Sequence, residues 1–204
     1  MTKPRQARAL KTRAVIIRAA AEVFDEFGFS GASISKITKC ADATQGSVYF
    51  HFKSKEDLAR AVMHEQGEGV ALPEGEDGLQ RLVSLTFHLA VELQSNVMLR
   101  AGVRLAVEQG EFGVQDDSAY QNWVDRFHEQ LIFARARGEL LPEVDERELA
   151  WVLVSCYTGT QLFSQISTGR ADLLRRIESL WRYLLPGIAT AQAREALTFE
   201  PAGV

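Results

Sequence analysis

The chain is poor in the residues that staple or interrupt small domains. Its 204 residues include two cysteines and five prolines, and no lysine lies beyond residue 55. Cys40 and Cys156 are far apart in sequence and form no metal-ligand spacing. Both are expected to be small buried residues of a reducing compartment. No apolar run reaches the roughly 18 residues of a membrane-crossing helix, since Ala150 to Phe163 is interrupted by Ser155, Thr158, Thr160 and Gln161. The segment from Met1 to Arg13 is basic and polar with no apolar stretch behind it, so a secretory signal is not expected and a cytoplasmic location is. His51, His64, His88 and His128 lack metal-ligand spacing, and there is no glycine-rich phosphate loop or nucleophile elbow. The sequence therefore points away from catalysis, and no metal or cofactor is expected.

A net charge of −4 would speak against nucleic acid if it were evenly spread. It is not. Residues 1–60 carry eleven Lys/Arg against six Asp/Glu, a net of +5, while residues 61–204 carry twelve against twenty-one, a net of −9. A basic head on an acidic body suits a protein that presents one end to phosphates and stays soluble through the other.

No period-two alternation, internal repeat or low-complexity tract appears, and the spacing predicts an all-α chain. Ile16, Ala20, Val23, Phe24 and Phe27 form one face of a first helix that Gly28 stops. Ser33 or Ser35 caps a short second helix that contains Ile37 and ends near Cys40-Ala41. Asp42 makes the turn, because aspartate tolerates the left-handed region. Thr44 caps a third helix to about Phe52, and Ser54 with Asp57 opens a fourth that runs to Gly67. Gly67, Gly69, Pro73, Gly75 and Gly78, with four acids among them, mark a boundary. Beyond it, Leu79–Leu93 and Val97–Val107 are apolar on several sides and predicted internal. Residues 109–117 read as a loop. A helix from about Ser118 to Arg137 is ended by Gly138, with Pro142 after it. Asp145 and Glu148 open a helix to about Ser167. Leu173, Ile177, Leu180, Trp181, Leu184 and Leu185 stripe a last helix, 171–185, ended by Pro186-Gly187. The expected division is 1–53, a connecting helix 54–67, and 68–204.

Two short helices joined by a tight turn on a longer first helix make a helix-turn-helix. Its second helix must be narrow enough for the major groove and polar near its start. Ser33, Thr44, Gln45 and Ser47 supply hydrogen-bonding groups, and Gly46 lets backbone approach the duplex. Tyr49 and His51 carry polar tips that can reach phosphates or base edges. Lys53 and Lys55 are placed to meet phosphates at the start of the fourth helix. Val48 and Phe52 are expected to point back into the small core.

On these residues the chain resembles the TetR family. The resemblance rests on Ala20-Ala21-Glu22-Val23-Phe24, Phe27-Gly28-Phe29, Ser33-Ile34-Ser35-Lys36-Ile37, Gly46-Ser47-Val48-Tyr49-Phe50-His51-Phe52 and Ser54-Lys55-Glu56-Asp57-Leu58. It departs from the family pattern at the turn, Cys40-Ala41-Asp42-Ala43-Thr44, and at Gln45, where many members carry lysine. The resemblance implies a helix-turn-helix head with a ligand-binding and dimerisation domain, acting as a homodimeric repressor of operator DNA. Within the family the chain is most similar to receptors for γ-butyrolactone-type signals. That likeness is carried by Leu99-Arg100-Ala101-Gly102-Val103-Arg104-Leu105-Ala106, by Trp123, and by Cys156-Tyr157-Thr158-Gly159-Thr160. It implies Trp123 as a ligand-site residue. A small uncharged lactone needs apolar walls and a few donors. Gln66 and Thr160 can donate, and Leu85, Leu89, Phe127 and Phe163 can form the walls. A regulator with no small ligand, or with an unrelated apolar one, is the alternative. The two last long helices would pair with those of a second copy in a four-helix bundle.

Overall fold

The computed structural model describes residues 3–67, 69–70 and 73–199. Residues 68, 71 and 72 of the glycine-rich boundary therefore lie outside the described residues. Ten α-helices follow in order: α1 Lys3–Gly31, α2 Ile34–Cys40, α3 Gln45–His51, α4 Lys55–Glu65, α5 Leu79–Ser95, α6 Val97–Glu108, α7 Ser118–Ala136, α8 Glu146–Thr168, α9 Leu173–Ile188 and α10 Ala191–Ala196. A 3-10 turn, Gln109–Phe112, follows α6. Among the described residues the only β-type pairing is a single bridge between Leu140 and Ala189.

The helices form two compact units. The first holds the described residues up to Gly69 together with Asn96–Ala119, and the second holds Val70–Ser95 with everything described from Tyr120 onward. The chain thus leaves the first unit at Val70, returns for α6 and leaves again after Ala119. The sequence pattern gives no hint of that return, because α6 is as apolar as its neighbours and its destination is decided by packing.

Local signals set the element ends. Ser33 rather than Ser35 caps α2, its hydroxyl accepting from Lys36 N at 3.2 Å. Thr44, Ser54 and Asp145 cap α3, α4 and α8 in the same way, through Ser47 N, Asp57 N and Glu148 N. Each cap satisfies a donor that a helix start leaves without an intrahelical partner. Asp42 turns the chain with φ 47°. Three details differ from expectation. α1 breaks at Gly28 (φ 68°) but continues for one more turn to Gly31. Pro186 and Gly187 lie inside the last turn of α9, which runs on to Ile188. α10 follows on the cap of Thr190.

The first unit buries Ile16, Ile17, Ala20, Phe24, Ile37, Val48, Leu58 and Val62 completely. Phe27 leaves this core and is exposed, its ring lying 3.8 Å below the Lys36 ammonium. Cys40 is also exposed, contrary to expectation, and donates to Glu22 Oε2 at 3.1 Å; burial of the sulfur and this bond push its thiol up to about 11. In the second unit α5 packs on α9 and α9 on α8. Trp181 is completely buried there, its indole N–H donating to Thr86 Oγ1 at 2.8 Å.

Candidate DNA-reading surface and sensor interior

In the first unit α3 has seven residues and one buried side chain, Val48, with Phe52 buried just past its end. Those two anchors hold it from beneath, and the Arg13 guanidinium covers the Phe52 ring at 5.4 Å. Everything on the other side faces out. Thr44, Gln45 and Gly46 are exposed, Ser47 and His51 are half-buried, and Tyr49 is 53% exposed. A Cβ at Gly46 would meet nothing nearer than Thr44 Oγ1 at 3.9 Å, so the approach to this stretch of backbone is open. Phe50 is 79% exposed, with the His51 ring edge-on to it at 5.0 Å. The sequence pattern left Phe50 undecided. A bare phenylalanine beside polar groups is a surface that can meet a thymine methyl in the major groove.

Ser33 stays exposed at the start of α2 and Lys53 is exposed before α4. Lys55 does not join them. Its ammonium donates to the carbonyls of Phe29 at 2.9 Å and Ala32 at 3.1 Å and stands 4.1 Å over the Phe29 ring. Both carbonyls lie at the C-terminal end of α1, where the last carbonyls lack intrahelical partners; Phe29 O also accepts from Ala32 N at 3.2 Å. Lys55 is thus a clamp inside the head, which corrects the expectation of a phosphate-directed side chain.

α6 grips the same break from another side. Arg100 forks onto Asp25, with its closest contact at 2.7 Å, and Arg104 donates to the Asp25 carbonyl at 2.7 Å. Arg104 also pairs with Glu108, whose carboxylate accepts from Phe29 N at 2.8 Å. A Cβ on residue 28 would sit 2.5 Å from an Arg104 nitrogen. Position 28 therefore needs glycine twice, for its left-handed φ and for this close approach. Gln66 is buried in this unit, and its side chain fills the space that a Cβ on Gly102 would occupy. Among the described residues its Oε1 has no hydrogen-bond partner.

In the second unit Leu85, Leu89 and Phe127 are buried, and Trp123 is half-buried with the Arg126 guanidinium 5.0 Å over its ring. The hydroxyl of Tyr157 is buried with no partner, and burial raises its pKa far above the usual phenol value. A buried hydroxyl left unpaired costs about 1–3 kcal/mol, so this one, unpaired among the described residues although the buried Arg170 is near enough to act on it, is a conspicuous acceptor or donor. Nothing in the sequence distinguishes it from an ordinary core tyrosine.

Thr160 and Phe163 do not share this interior. They line an open groove of about 480 Å³ between α8 and α9, beside Gly159, Leu180 and Tyr183, and Phe163 is 59% exposed. Helical geometry explains the correction. Ala150, Leu153, Val154, Tyr157, Gln161 and Ser164 form the buried face of α8. At roughly 100° per residue, Phe163 stands about 120° away from Tyr157. The same outer side carries exposed Trp151, Leu162 and Ile166.

Two family models match the chain. Residues 16–62 match the family model of bacterial regulatory proteins of the tetR family, and residues 76–190 match the tetracyclin repressor-like C-terminal domain. The chain is 40% identical over 185 residues to the A-factor receptor protein of Streptomyces griseus, covering 91% of this chain and 66% of that one. It thus spans just under two thirds of that receptor's length. The crystal structure of native TylP, a TetR regulator from Streptomyces fradiae, superposes with a TM-score of 0.83 at 37% identity, covering 95% and 93% of the two chains. A γ-butyrolactone receptor described as ArpA-like superposes with a TM-score of 0.67 at 28% identity over 93% of each.

Proposed function

The chain belongs to the TetR family of bacterial regulatory proteins, and from that premise we propose that it is a ligand-responsive repressor that binds operator DNA as a homodimer. The observation that carries the reading is α3, a helix anchored by Val48 and Phe52 whose polar and aromatic side is bare. Thr44, Gln45, Gly46, Ser47, Tyr49, Phe50 and His51 read the major groove, with Ser33 and Lys53 on flanking phosphates. The protein acts by binding rather than catalysis, in the bacterial cytoplasm where its operator lies.

A γ-butyrolactone or butenolide-like signal is the ligand that releases it. The Tyr157 hydroxyl, unpartnered among the described residues, the half-buried ring of Trp123 and the buried side chains of Leu85, Leu89 and Phe127 are the groups of the second unit that suit a small lactone with an alkyl tail. The groove between α8 and α9, lined by exposed Phe163 and Tyr183, is covered by the same face of a second copy, giving a four-helix interface. Operator gel shifts with and without a γ-butyrolactone test the reading. The Trp123→Ala protein should bind operator as the parent does and stay bound at lactone concentrations that release the parent. Release at the parent's concentration would overturn the ligand assignment.

A further inference from the structure

The first half of α1 has a feature that the recognition helix does not use. Residues 1–21 contain six Lys/Arg and no Asp or Glu. From Gln6 to Val15 no side chain is buried, and the core begins at Ile16. Ten successive residues of helix, about 15 Å of rise, thus bury no side chain fully, and Leu10 is left 62% exposed. A helix of this length is marginal in water without a packed face. It is held by continuity with the buried Ile16–Phe24 stretch.

The cations on it are sorted by face. Arg13 turns inward, to Glu65 at 2.7 Å and over the Phe52 ring. Arg8, Lys11 and Arg18 lie within about 80° of one another around the axis and roughly opposite Arg13. Among the described residues Arg8 and Lys11 make no salt bridge, and Arg18 makes only a loose one to Glu22 at 3.7 Å. That face leads straight to the helix-turn-helix. Glu22, one turn beyond Arg18, holds the thiol of Cys40, the last residue of α2 before the Asp42 turn.

We propose that the Arg8–Lys11–Arg18 stripe is a phosphate-binding arm that engages the backbone of the same duplex outside the segment read by α3. The charge fits a polyanion, and the stripe is continuous with the turn that presents α3. The inference rests on the DNA-reading assignment above. Such an arm adds affinity without sequence information.

The full-length triple variant Arg8→Ala/Lys11→Ala/Arg18→Ala tests it, since none of these side chains is in the core. Affinity for operator and for a scrambled duplex is measured from 50 to 300 mM salt. The slope of log K against log salt should become shallower by about one per cation in each bound protomer. Operator and scrambled duplex should weaken by the same factor, and Arg8→Lys/Lys11→Arg/Arg18→Lys should restore the slope. A triple variant with the parent's slope would overturn the arm while leaving the recognition helix intact. A parent protein that fails to distinguish operator from scrambled duplex would instead overturn the DNA-reading assignment, and the arm with it.

Discussion

In the head, α2 and α3 are seven residues long and each buries one side chain of its own, Ile37 and Val48. In the second unit α8 and α9 run for 23 and 16 residues and bury several side chains each, yet α8 leaves a second apolar side bare. A short helix on one or two anchors can be aimed accurately, but nothing replaces an anchor that is lost. A long helix with many anchors tolerates loss and can offer a whole side to a partner. The largest expected effect follows from this difference. Phe52→Ala should cost the head about 3–5 kcal/mol, the usual range for a buried phenylalanine, and should abolish operator binding. Phe163→Ala, on the bare side of α8, should leave the protomer's own packing intact and lower stability only through weaker self-association, a loss that depends on protein concentration. Urea unfolding and sedimentation of both variants make the comparison, and equal stability losses would break it.

A smaller effect is expected where the head is held by backbone rather than side-chain packing. Gly28→Ala places a Cβ at φ 68° and ψ −179°, a region that essentially only glycine enters, at a cost of about 1–3 kcal/mol. It also pushes Arg104 off the Asp25 carbonyl. The variant should unfold at lower urea than the parent and bind operator more weakly, because the broken turn leads directly into α2. Unchanged stability would mean that the break in α1 shifts freely, and that the Arg104–Glu108 grip on it is incidental.

The same contrast explains what was legible in the sequence. Caps and turns act over three or four residues, so Ser33, Asp42, Thr44 and Ser54 announced the helix-turn-helix and its boundaries, and Val48 and Phe52 could be assigned inward. The role of Lys55 is not legible, because its partners, the Phe29 and Ala32 carbonyls, lie more than twenty residues earlier in the chain and meet it only in three dimensions. In the second unit, α8 is apolar around most of its circumference. The pattern could not say which side faces inward, so Phe163 and Thr160 were placed with Phe127 while Tyr157 went unnoticed. The return of α6 to the head was equally hidden, since Arg100 and Arg104 find Asp25 only in three dimensions.

The smallest effect belongs to the corner that joins α8 to α9. Asp172 accepts from the Ser164 hydroxyl at 2.5 Å, the Thr168 hydroxyl at 2.8 Å and Arg176 Nε at 2.6 Å. These bonds, Ser164 first, hold its carboxyl at about 2, against an ordinary value of 3.8. A depressed carboxyl stabilises the fold fully above the unfolded value, and that contribution is lost as pH falls through the folded one. The stability gap between the parent and Asp172→Asn should therefore be constant from pH 7 to about 5 and shrink between about pH 4 and pH 2. Because this corner fixes how α8 and α9 splay, and hence the width of the groove between them, self-association of the parent should weaken over the same interval. Urea midpoints for both proteins across the series test the carboxyl's part. A gap that stays constant down to pH 2.5 would place the acid sensitivity elsewhere and leave the corner held by helix packing alone.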